Sequence, residues 1–223
     1  MPKGQDSGLF SLPDIAALVI ALGVGGGYFA YQKHIDNQII EGAYPAVKNT
    51  SLRVTNAMKL VEASNITYKE LFERIEADIA EIDKRILDIQ TASSPSTEKW
   101  MNSMAAYLRS AQELLRAEKS TFRKQMMVSS ALDHQKRTFE RLRNSSKPYE
   151  MKYLLEAASD ARTDTEKKVV EARTAANDWV NRIDAFMQAR DEIATFVPAD
   201  SLVDSVVLAN TRKVVGKFAD LEF

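Results

Sequence analysis

The sequence predicts an all-α protein: an N-terminal transmembrane helix, then a long antiparallel three- to four-helix bundle built like a coiled-coil rod. Three observations predict it. The chain of 223 residues holds only eight glycines and six prolines, and four of the glycines, Gly23, Gly25, Gly26 and Gly27, share one short stretch. The rest is nearly free of helix breakers. Residues 15–32 carry no charge. Beyond them, apolar residues recur at alternating steps of four and three, the 3.5-residue period of a left-handed coiled coil.

Residues 1–11 form a short tail ahead of a helix start at Ser11-Leu12-Pro13-Asp14. Ser11 can cap, Pro13 suits the first turn, and Asp14 stands where a capping box places its acid. Residues 12–34 are expected to be a membrane anchor, because an uncharged helix of this length crosses a hydrocarbon core of ~30 Å. Tyr28, Tyr31, Lys33 and His34 suit the far interface. Ala16, Gly23, Gly27 and Ala30 fall on one helical face, and Gly23-x-x-x-Gly27 would let another membrane helix approach closely. A dinucleotide loop is excluded, since Tyr28 occupies the third glycine position, and no Gly-Lys-Ser/Thr follows for a phosphate loop. A cleaved signal peptide fits less well than an anchor, because Asp6 and Asp14 offset Lys3 in the n-region.

Gly42 and Pro45 then predict a kink or hinge over residues 35–45. The bundle follows as residues 46–223, with helices expected at about 46–91, 97–144, 148–196 and 200–221. The first seam runs through Val54, Met58, Val61, Asn65, Tyr68 and Phe72 and on to Ile89. Thr91-Ala92-Ser93-Ser94-Pro95 ends it. The second seam is looser, with Glu118 and Gln125 among its apolar positions. The third runs from Met151 to Ile193 with an alanine-rich middle. Short connections make the long helices antiparallel neighbours. Facing positions of the first two should sum to about 189, and of the second and third to about 292, if both turns are tight.

That register brings Asn65, Gln125 and Thr165 toward one layer. It reads either as a small polar site or as a register-fixing layer, a well-attested use of a lone core Asn. The same topology places the basic end of the second long helix beside the anchor. There Lys136, Arg137, Arg141, Arg143 and Lys147 would form a membrane-proximal patch facing anionic headgroups.

Net charge is −1, which leaves no global field to recruit nucleic acid. The chain has no cysteine, which removes thiol catalysis and cysteine metal sites. His34 and His134 lack the Glu-x-x-His or His-x-x-x-His partners of a metal centre. No hydrolase, zinc-protease or phosphate-loop motif occurs. No enzyme, cofactor or metal is therefore expected. The expected role is a single-pass membrane protein that acts as a scaffold or accessory subunit of a membrane-associated assembly. Its partners would be the lipid bilayer, other membrane or helical proteins, and copies of itself. The rod is expected on the extracytoplasmic, periplasmic side, since a long domain translocates largely regardless of its charge. Two other classes fit the architecture: a sensory or ligand-binding bundle, and a BAR-like module that binds membrane surfaces.

Overall fold

The fold was established from a computed structural model, which describes residues 12–62, 67–145 and 147–219; the side chains of residues 12–29 and 60–62 are not part of the description. Among the described residues every regular element is helical: α1 (Leu12–Glu62), α2 (Tyr68–Ala92), α3 (Glu98–Asn144), α4 (Pro148–Ile193), a 3-10 turn (Ala199–Ser201) and α5 (Ser205–Ala219).

The expected hinge is absent. α1 runs unbroken for 51 residues with Pro45 inside it. Pro45 and Gly42 both lie on its exposed side, while Ala43 and Val47 are buried against the bundle. Tertiary packing of that stripe overrides the local penalty of the proline.

The expected helix over 46–91 is two helices. α2 starts at Thr67, whose hydroxyl accepts from the Glu70 backbone N–H at 3.3 Å while the Glu70 carboxylate accepts from the Thr67 N–H at 3.0 Å. This reciprocal pair satisfies two orphan donors of the first turn. The chain direction then reverses. Arg53 of α1 pairs with Asp78 of α2, and nearer the other end Ala43 and Ala46 line one hollow with Ile89 and Ala92.

The remaining connections follow expectation. Gln112 of α3 donates to the Ile79 carbonyl at 3.1 Å. The predicted register puts Ile79 level with residue 110, so the offset is about half a turn. Thr121 donates to the Ala175 carbonyl at 3.0 Å and Lys124 pairs with Glu171 at 2.7 Å, which fixes α3 antiparallel to α4. α5 lies antiparallel on α4 through the forked pair of Arg212 with Asp184 at 2.6 and 3.0 Å. It therefore covers the C-terminal part of α4, not the far end of the rod.

The result is a body and a stalk. In the body, α1, α2, α3 and α4 bury Tyr107, Trp179, Phe186, Ile75, Ile82 and Leu108. The segment after α4 is clamped to α1: Tyr44 donates to the Phe196 carbonyl at 2.8 Å, Lys48 pairs with Asp200 at 3.1 Å, and Ser51 donates to the Ser201 carbonyl at 2.7 Å. The cover from α2 ends at Tyr68, whose ring lies 6.4 Å from Phe122 of α3. Beyond Phe122, α3 and α4 continue as a two-helix stalk for some 22 residues, ~33 Å. Its seam is narrow, built from Val128, Ala131 and Thr138 against Ala158, Ala161 and Thr165.

Among the residues described with side chains, no helix is long and apolar enough to cross a membrane. The uncharged stretch on which the anchor was expected lies almost wholly outside them. The N-terminal span thus has no support from the described side chains, and its backbone is the first part of α1.

Candidate functional site

The reversal at Thr67 relocates the basic patch. Asp36 of α1 accepts from Ser96 Oγ at 2.7 Å, so the N-terminal part of α1 stands at the α2–α3 turn. The far end of α3 is then the tip of the stalk, some 70 Å of helix away. Lys136, Arg137, Arg141, Arg143 and Lys147 are exposed at that tip, remote from residues 12–34. This corrects the membrane-proximal placement. The cause is parity, since one extra reversal turns over every later helix. At the tip Lys147 pairs with Glu150 at 3.2 Å, and Arg137 and Arg141 line a cleft of about 550 Å³ together with Glu140 and Glu150. The acids offset much of the local charge.

The expected polar layer is not assembled either. Asn65 lies outside the described residues. Thr165 is buried but donates to the Ala161 carbonyl of its own helix at 2.8 Å. Gln125 is half-buried beside Val128 and Ala172, more than a turn from the level of Thr165. For the membrane-packing face, Ala30 is exposed, and Ala16, Gly23 and Gly27 fall among the side chains left undescribed. His34 and His134 are both exposed. Among the described residues no group of three metal-ligating side chains gathers.

Two features stand out instead. The first is Glu118 of α3, which is fully buried, with no hydrogen-bond partner for either carboxylate oxygen among the described residues. Burial pushes its pKa up to about 8, and the nearby charge of Asp78 adds to the rise. Asp78 is itself buried and tied to Arg53. Around this level Trp179 Nε1 is also buried without a partner. The site is thus an acid pair, one member salt-bridged and the other held toward its neutral form at pH 7. The only sequence signal for it was a charged residue on an otherwise apolar heptad line.

The second feature is a groove along one face of the stalk. Met104, Ala111 and Glu118 stand seven residues apart on α3 and are fully buried in the body, with Asp78 of α2 near Glu118. The same heptad line continues as Gln125, Leu132 and Phe139; among the described residues, only Phe218 at the end of α5 reaches it, beside Gln125 and Leu132. Leu132 and Phe139 are each 43% exposed, and Leu155 across the seam is 56% exposed. Two adjoining hollows of about 250 and 450 Å³ share Leu132, Val169 and Arg173, with Phe218 of α5 closing the body end. Leu132 and Phe139 stand at core spacing on α3, but among the described residues the bundle thins to α3 and α4 toward this end. No family model, curated protein or solved structure matches this chain.

Proposed function

We propose that the protein is a single-pass, membrane-anchored helical scaffold that serves as an accessory subunit of a membrane-associated assembly and presents its stalk to helical partners. One observation carries the reading: α1 is a single helix that joins the uncharged residues 15–32 directly to the body. An anchor fused without a break to a bundle sets the position of that bundle relative to the bilayer. The glycine face of Gly23 and Gly27 would pack a neighbouring span. The absence of a hinge supports a spacer. The body supplies stiffness, and the stalk supplies reach. We place the rod on the extracytoplasmic side.

Carbonate extraction of native membranes, followed by gentle detergent sizing, tests this. The chain should stay with the membrane pellet and then migrate with stoichiometric foreign subunits. Release by carbonate sinks the anchor, and a lone monomer in detergent sinks the assembly role. Gly23→Leu with Gly27→Leu should weaken association at the membrane while the helical signal of the body is kept.

A further inference from the structure

We infer that the bare face of the α3–α4 stalk is a docking groove for an acidic amphipathic helix of a partner protein. The inference deepens the scaffold reading by giving its partner a chemistry, and it rests on that reading.

The body already shows what this line of α3 accepts. There the heptad line is buried, and α2, which packs on α3, is amphipathic, with Leu71, Ile75, Ile82, Ile86 and Ile89 buried. α2 is also acidic, with seven Asp and Glu against four Lys and Arg in its 25 residues. Its Glu76 forms a cross-helix pair with Lys119 of α3. Past Phe122 the line continues but the covering helix does not. Leu132 lines a shallow channel there, and Phe139, one heptad on, and Leu155 of α4 are exposed apolar residues toward the tip, the form that helix-in-groove recognition uses.

The charge around the stripe selects the sign of the occupant. Lys136 and Arg143 stand four residues beyond Leu132 and Phe139 and share their face of α3. On the α4 side of the channel Arg162 is paired with Glu166 at 2.8 Å, so the positive rim is carried by Lys136 and Arg143 of α3. Two such basic faces repel each other, so a second copy in face-to-face register is disfavoured. A lipid surface needs neither a channel nor heptad spacing, whereas a helix needs both. The stalk's own seam is alanine- and threonine-rich and buries little, so a third helix would add apolar burial where the pair lacks it.

Two labelled 25-residue helical peptides with identical apolar heptads test the inference, one flanked by Glu and one by Lys. Each is titrated against the full chain in detergent by fluorescence anisotropy, so the readout does not depend on whether residues 12–34 span a bilayer. The Glu peptide should bind about tenfold tighter than the Lys peptide and lose affinity in high salt. Leu132→Ala with Phe139→Ala should weaken it about tenfold or more with the helical spectrum unchanged. Lys136→Glu with Arg143→Glu should shift preference toward the Lys peptide. Equal binding of both peptides, binding of neither, or Glu-peptide binding indifferent to these variants overturns the inference. So does a chain that prefers anionic phosphatidylserine vesicles to the Glu peptide, or one that self-associates through Phe139.

Discussion

The hydroxyl of Tyr107 lies 2.8 Å from Ser51 Oγ, joining α3 to α1 in the most buried part of the body. Ser51 in turn donates to the Ser201 carbonyl, so three separate segments meet through one hydroxyl pair. Burial raises the Tyr107 phenol to about 12, and it stays protonated through the ordinary range. Tyr107→Phe should therefore cost about 1–2 kcal/mol, since Ser51 loses a buried partner. Urea unfolding checks this, and an unchanged midpoint would show that the contact is not made in solution.

Glu118→Leu should stabilise the protein at alkaline pH. The folded pKa of Glu118 lies near 8, above its ordinary 4.5. Native chain then holds a proton that the unfolded chain releases, so this group's contribution falls as pH rises from about 4.5 to about 8. The wild-type midpoint should drop across that window, and the variant's should be flatter. At pH 8 the variant should gain roughly 1–4 kcal/mol. Parallel pH profiles for the two proteins would contradict the buried acid.

Asp78→Asn should lower the Glu118 pKa, because it removes the neighbouring like charge. Carboxylate NMR titration reads the shift directly. A rise instead of a fall would contradict Asp78 as a like-charge neighbour of Glu118.

Phe186 is fully buried with its ring 4.8 Å from that of Tyr107. Phe186→Ala should cost about 3–5 kcal/mol through lost transfer energy and the cavity left behind. Thermal unfolding with unchanged helical content before the transition would confirm a core role. A cost below 1 kcal/mol would mean that the body is not packed there.

Pro45→Ala should raise stability by about 1–3 kcal/mol, because a proline inside a helix removes one ladder hydrogen bond. Its exposed position leaves room for the substitution. Loss of stability would show that α1 gains from a bend at this point.

The period of the seams made the long helices legible, together with the antiparallel order of α2, α3 and α4 and a register good to about half a turn between α2 and α3 and about one turn between α3 and α4. The reversal at Thr67 was hidden by the same regularity. Tyr68 and Phe72 prolong the four-three steps of Val54, Met58 and Val61, so a two-helix stretch reads as one. Thr67-x-x-Glu70 was the available sign, a capping box inside an apparently continuous helix. Glu118 was visible only as an interruption, because burial depends on which helices cover a face. Leu132 and Phe139 are apolar at core spacing, and only the length of α2 shows that its cover stops short of them. Pro45 misled in the other direction, as a local breaker outvoted by packing.

An uninterrupted α1 also fixes rotational phase. Each residue turns a helix by about 100°, so deleting a single residue between Lys33 and Asp36 would swing everything N-terminal to it nearly a third of a circle around the body. Removing seven would restore the facing within about 20°. The protein thus behaves as a keyed shaft: which side of the stalk faces a neighbour follows from which side of residues 12–34 is held.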